Sequence, residues 1–301
     1  MEKKILKLCT VSSLILLLLI TGQTFRSVYG ENEVNVLIEG TGKGKSFSLN
    51  QYWRWAGETI LKIDGEEYIA YCIEPEVEIS PGLYVMQTEE VPDNSSWRSI
   101  SYILTWHHPA IDDYTAAEIQ GAIWEYLNTN PSPFGSSFYD EALGKDVIRP
   151  RDNLTLTSSE DEVFIGDTVT LTARVIDADG NPRPGVRILF NTTIGTLDAT
   201  EGTTNANGEV SVNLTATDPG EAKVTAWTKG IWVNQYLTSP EVQDLIIVGY
   251  TTTLTATSEV TFTTFVIPEA TFGTLGMLAS LIAALTLFIA HKRTILRKSQ
   301  K

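Results

Sequence analysis

The sequence predicts a mixed architecture: a β-rich α+β domain with a helical part, then an all-β sandwich, then a single transmembrane helix. Three observations predict it. Two apolar runs lie near the ends of the 301 residues. Between them the composition changes near Arg149-Pro150-Arg151, from Trp- and Tyr-rich to Thr, Val, Asp and Gly with evenly spaced turns. After that point strand spacing continues with no helical pattern between strands. The expected organisation is a signal peptide over 1–30, the outer α+β domain over 31–149 and the sandwich over 150–250. A Thr-rich stem over 251–270, a transmembrane helix over 271–291 and a basic cytoplasmic tail over 292–301 complete it.

The N-terminus carries Lys3, Lys4 and Lys7, followed by an apolar run from Val11 to Ile20. Basic residues before a short apolar core are the layout of a secretory signal, and Val28 and Gly30 are small enough for a cleavage site. Near the other end, Phe272 to Ala290 contains no charged residue and approaches the ~20 residues a membrane-crossing helix needs. Lys292, Arg293, Arg297, Lys298 and Lys301 follow it. Basic residues resist translocation, so the expectation is a cell-surface, single-pass protein with its body outside and its C-terminus in the cytoplasm. Ile267-Pro268-Glu269-Ala270 before the apolar span resembles the tripartite sorting signals of archaeal and some bacterial surface proteins, with Ala270 where Phe or Pro is usual.

The formal net charge is −15. Setting aside Glu2 and the nine Lys and Arg of the two ends leaves 13 basic against 36 acidic residues. Such a surface excludes nucleic acid and anionic lipid head groups as partners. Asn94, Asn153, Asn191 and Asn213 each begin an Asn-x-Ser/Thr sequon, candidate glycosylation sites that agree with exposure outside the cell.

In the second domain, Val169, Leu171, Ala173 and Val175 alternate with polar residues and predict the inner face of a half-buried strand. Asp179-Gly180-Asn181-Pro182 and Asn207-Gly208 predict turns, and Ala222 to Trp227 alternates again. Asp177-Ala-Asp-Gly-Asn-Pro-Arg-Pro-Gly185, Gly195-Thr-Leu, Thr204-Asn-Ala-Asn-Gly208 and Pro219-Gly220 together resemble the invasin/intimin-type bacterial Ig-like repeat. The resemblance implies a sandwich that serves as a stalk. Asp177-x-Asp179-x-Asn181 has the opening spacing of a calcium loop, but position twelve is Ile188, so no metal site is assigned and no cofactor is expected.

Cys9 belongs to the signal, which leaves Cys72 as the one thiol in an oxidising compartment. It is a buried inert residue, a bond to another chain, or a group committed to chemistry in its own domain. Glu67 to Glu74 alternates as a strand that Pro75 stops. Thr115-Ala-Ala-Glu118 has the spacing of a capping box for a helix from Ala116 to about Leu127, with Tyr114 and Ile119 as staple. Ala116, Ile119, Ile123, Tyr126 and Leu127 form its apolar stripe, and Gln120 flanks that stripe with an amide that needs a partner.

Tyr71-Cys72-Ile73-Glu74 and Gln120-Gly121-Ala122-Ile123-Trp124 resemble the cysteine and glutamine segments of the thioester domain of surface adhesins, with Ile119 where that family usually has Thr. The resemblance implies an internal thioester between Cys72 and Gln120 and a covalent attachment to a protein or other surface amine on a target cell or neighbouring envelope component. A thiol held against an amide carbon displaces ammonia, and a partner amine then displaces the thiol. There is no turnover, so the expectation is a crosslinker and not an enzyme. Glu74, Glu118, His107 and His108 are the accessory candidates for proton transfer. Against that, Glu118 reads equally as a cap and His107-His108-Pro109 as a loop. Trp53, Trp55, Trp97, Trp106 and Trp124 read as core and sheath. The rival reading is a non-covalent envelope protein whose Cys72 never reacts. A cysteine peptidase using Cys72, a histidine and Asp112 lacks any local signature.

Overall fold

A computed structural model describes residues 32–129, 133–264 and 279–287. The outer domain begins with four strands, β1 (Glu33–Leu49), β2 (Tyr52–Ile63), β3 (Glu66–Cys72) and β4 (Gly82–Glu90). Three helices follow: α1 (Ser95–His107), α2 (Asp113–Tyr126) and α3 (Ser136–Ala142). The first four strands do not close on themselves. Their free edges, on β3 and β4, are filled by β13 (Gln235–Thr238) and β14 (Leu245–Ile247), giving a closed barrel in the order β1-β2-β3-β14-β13-β4. Leu245, Ile246 and Ile247 pair with Cys72, Tyr71 and Ala70, and β13 pairs antiparallel with Gln87 to Glu90 of β4. Closure leaves no sheet edge for another chain to extend.

This return corrects the expected boundary at 250. The sandwich is interleaved with the outer domain: all but its last strand precedes the return to the barrel. Its strands form one sheet in the order β10-β8-β12-β15-β6 and a second in the order β5-β7-β11-β9. The first comprises β6 (Glu162–Phe164), β8 (Arg187–Thr192), β10 (Glu201–Thr203), β12 (Gly220–Gly230) and β15 (Thr252–Thr263). The second comprises β5 (Asn153–Ser158), β7 (Thr168–Ile176), β9 (Thr196–Leu197) and β11 (Glu209–Thr215). Val169, Leu171, Ala173 and Val175 face inward and are fully buried, as their alternation predicts. Opposite them pack Ile188, Val224, Ala226 and Val260 in one core.

The expected stem is also corrected: β15 pairs with the whole length of β12, from Gly220 opposite Phe262 to Gly230 opposite Thr252. Its alternating Thr residues are the solvent side of a strand, and Val260 and Phe262 are the core side. Asp177 accepts hydrogen bonds from the Asp179 and Asn181 amides at 2.9 Å each, so the calcium-like spacing is a hydrogen-bonded turn.

The chain leaves the barrel and re-enters it at one place. A side chain on Gly230 would lie 2.5 Å from the Ile148 carbonyl oxygen, so only a glycine lets the two connections touch. Arg149 stacks its guanidinium 3.8 Å from the Trp232 ring centre and forks onto Asp93 at 2.9 and 3.0 Å. The two arginines Arg149 and Arg98 beside Asp93 hold its carboxyl down to about 2, Arg149 being the larger influence. Thr105 and Ser101 on α1 accept the Ile231 and Val233 amides at 2.7 and 3.1 Å, which docks the returning segment on the helix.

Among the described residues no helix is long and apolar enough to cross a membrane. Of the expected transmembrane segment only 279–287 is described; it is helical and exposed at every residue. The signal peptide, Ile267 to Ala270 and the basic tail lie outside the described residues. The four sequon asparagines are exposed, although Asn94 caps α1 through Trp97 and Asn213 donates its side-chain nitrogen to Asp198 at 2.8 Å.

The inserted topology makes a direct prediction. A fragment of residues 31–149 lacks two staves of its barrel and is expected to show no cooperative unfolding transition. Residues 31–150 joined to 230–250 by a short Gly-Ser linker are expected to restore one, read by thermal denaturation.

Candidate functional site

Cys72 ends β3 with its side chain inside the barrel, among Ala70, Leu245, Ala117 and Trp124. It is a free thiol, 2 % exposed. Burial pushes the thiol up to about 12, against a smaller opposing effect of the Thr59 hydroxyl 3.7 Å from the sulfur. Removed from water, the thiolate is disfavoured.

α2 brings the first glutamine. Asp112 caps this helix by accepting the Thr115 amide at 2.7 Å, three residues before the expected cap. Glu118 is therefore not a capping partner; it accepts a hydrogen bond from Ser137 at 2.9 Å. Gly121 lets the Phe134–Gly135 backbone press onto the helix, since a Cβ there would sit 2.2 Å from the Phe134 oxygen. Gln120 is fully buried and meets Cys72, the residue that the resemblance pairs with it, but through the Cys72 backbone. The Cys72 amide donates to Gln120 Oε1 at 2.8 Å, and Gln120 Nε2 donates to the Cys72 carbonyl at 2.7 Å. Both ends of the amide are satisfied by the backbone N–H and C=O of one residue, so Gln120 acts on Cys72 like a neighbouring strand.

A second glutamine, which sequence reasoning missed, lines the same cavity as the thiol. Gln243 lies in the loop between β13 and β14, next to Asp244, whose carbonyl accepts the Ile73 amide at 2.9 Å. It is 5 % exposed, and its Oε1 has no hydrogen-bond partner among the described residues. Gln243 and Cys72 line one cavity of about 160 Å³, together with Trp53, Trp55 and Glu78. A buried amide oxygen left unpaired costs about 1–3 kcal/mol, so its retention calls for an explanation. The available signal was Gln243-Asp244, two polar residues between Val242 and the apolar run Leu245 to Val248.

The accessory candidates are not gathered at this thiol. His107 stacks on Phe138 with ring centres 3.9 Å apart and lies 3.0 Å from Glu141. His108 is 3.4 Å from the Tyr71 hydroxyl, on the opposite face of β3 from Cys72. Burial lowers the pKa of both imidazoles. Glu74 stands close enough to Asp244 to help burial hold that carboxyl up. Trp97 and Trp124 are core, whereas Trp53 is 75 % exposed and corrects the expectation of a sheathed residue. Among the described residues no cluster suited to a metal ion occurs.

Comparison with known proteins bears mainly on the insert. The family model of the bacterial Ig-like domain (group 1) matches residues 154–238. Intimin of Citrobacter freundii is 42% identical over 60 residues, which are 20% of this chain and 6% of that protein. Intimin of Hafnia alvei is 42% identical over 60 residues, 20% of this chain and 21% of that protein. The matched segment is thus a small part of these relatives. Among solved structures, the thioester domain of the Enterococcus faecium TIE86 protein overlaps 79% of this chain and 98% of its own, at 16% identity and TM-score 0.32. The Bacillus anthracis TIE protein overlaps 77% of this chain and 49% of its own, at 16% identity and TM-score 0.34. Such TM-scores do not by themselves establish a shared fold. The sandwich is Ig-like; the barrel rests on its own geometry.

Two outcomes follow from the hydrogen bonding and burial. In a Cys72→Ala background, Gln120→Leu orphans two backbone groups and is expected to cost about 2–4 kcal/mol in chemical denaturation. In the thiol form, folding favours the protonated sulfur, so its contribution is complete below pH 9.0 and is lost as pH rises towards about 12. Stability curves against pH are expected to diverge from those of Cys72→Ala in that window.

Proposed function

We propose that this chain is a surface protein that attaches covalently to a partner amine through a thioester of Cys72, with Gln243 as the acyl residue. The observation that carries the reading is the shared cavity, lined both by a buried thiol and by a buried amide whose oxygen has no partner among the described residues. Gln120 then serves as a positioning residue, holding the Cys72 peptide at both ends. Attack of the thiol on the Gln243 amide carbon forms the C–S bond, breaks the C–N bond and releases ammonia carrying the thiol proton. A partner amine then forms an isopeptide bond to the same carbon and returns the proton to sulfur. Each molecule reacts once, so this is not enzymatic turnover. Similarity of the insert to part of the intimins supports a place on the cell surface in an adhesive role. The membrane anchor remains part of the proposal, on the strength of the apolar stretch and the basic tail.

Intact mass tests the reaction and peptide mapping tests the residue. The wild-type ectodomain is expected to be one ammonia lighter than its sequence, and Cys72→Ala and Gln243→Ala are expected at full mass. After treatment with methylamine, the methylamide is expected on Gln243. A methylamide on Gln120 would return the acyl role to that residue. A wild type at full mass with an alkylatable thiol supports the rival reading, a non-covalent envelope protein.

A further inference from the structure

A second cavity, of about 430 Å³, lies beside β3 at the junction of barrel and sandwich, and it shares no residue with the one lined by Cys72 and Gln243. Its volume falls within the roughly 300–1,000 Å³ of small-molecule sites. Four segments build it. Glu66 to Ile69 come from β3, and His108 and Pro109 from the turn between α1 and α2. Ile231 comes from the crossing after β12, and Val248 to Thr251 from the connection between β14 and β15. Ile231 is buried in the core beneath, and Ile69 and Val248 pack partly buried against that core, so the floor is apolar.

The remaining walls are aromatic and acidic. Tyr68 and Tyr250 contribute two phenol rings, and Tyr250 is 86 % exposed at the rim. A hydrogen bond with Tyr250 is the main reason that the Tyr68 phenol is held above its ordinary value. Glu66 and Glu67 are exposed at the same rim, and among the described residues neither carboxylate forms an ion pair. Lys62, cross-strand from Glu67, lies instead 2.6 Å from Glu39. His108 adds no positive charge at neutral pH, because burial lowers the pKa of its imidazole.

We infer that this cavity binds a small organic cation, an alkylammonium whose charged head meets two phenol rings and two carboxylates while its apolar groups rest on the floor of Ile69, Ile231 and Val248. Aromatic faces and unpaired carboxylates both attract a cation, and the same carboxylates repel an anion. A neutral ligand of the same shape gains the apolar contacts alone. The inference is independent of the thioester, since nothing in it involves Cys72 or either glutamine.

The test is titration calorimetry on the intact ectodomain with choline and with its uncharged carbon isostere, which carries a tert-butyl group in place of the trimethylammonium. Choline is expected to bind at least about tenfold more tightly than the isostere. Tyr250→Ala and the double variant Glu66→Gln/Glu67→Gln, all at exposed positions, are each expected to weaken choline by about tenfold. Trp53→Ala, at the other cavity, is expected to bind as the wild type does. Equal affinity for the two probes, or no saturable binding of choline, overturns the inference. Loss of binding in Trp53→Ala with Tyr250→Ala unchanged places the cation at the other cavity and overturns it too.

Discussion

Everything at the thiol depends on the return of the chain to the barrel at 235–247. Without β13 and β14, β3 would end at an open edge and Cys72 would face water. With them, Leu245 pairs with Cys72, the barrel closes, and the connecting loop sets Gln243 into the cavity. The fold therefore brings to one cavity two residues separated by all of the Ig-like sandwich except β15. The Gly230–Ile148 approach and the Arg149–Trp232 stack hold the two crossings side by side, so the insert's size does not disturb the barrel.

In the proposed reaction, two glutamines near one cysteine divide the work that a thioester demands. The thiol is buried and held protonated, so the sulfur cannot wait as an anion. What the site supplies instead is placement. Gln120 clamps the Cys72 peptide from the helix side, and Thr59 approaches the sulfur from β2. Gln243 brings an amide whose oxygen competes with no existing hydrogen bond. Orientation alone is worth several kcal/mol of an otherwise bimolecular barrier. Burial that makes the thiol inert also shields an acyl thioester from hydrolysis.

Much of this was legible because it is local. The inward alternation of β7 is a period-two pattern, the turns at Gly180 and Gly208 are residue chemistry, and the helix carrying Gln120 announces itself by its stripe. The resemblance paired Gln120 with Cys72, yet its partner atoms were not readable, because a side-chain amide satisfied by a backbone looks the same in sequence as one poised to react. Gln243 was hidden for a different reason. β13 and β14 are short, and their pairing with β4 and β3 spans well over a hundred residues, so no window of sequence contains it. The cap failed in the same local way that it was inferred: Thr115 and Asp112 both qualify, and the chain uses Asp112. The Thr-rich stretch read as a stem because its solvent face dominates its composition, while Val260 and Phe262 carry its strand character.

The interleaving also changes what the Ig-like sandwich contributes. A stalk lies in series between a binding tip and an anchor, and every unit in it bears the load. Here the covalent path from Gln243 to the end of β15 runs only through β14, a short connection and β15 itself. If a partner is bonded at Gln243 and pulled against Thr263, tension travels along strands that are already extended. The rest of the sandwich hangs beside that path, gripping β15 through its full-length pairing with β12. A bond at Gln120 would place the whole insert in series and load its core. The position of the acyl residue thus decides whether the Ig-like domain is a link in the chain or a brace around it, and the geometry at Cys72 favours the brace.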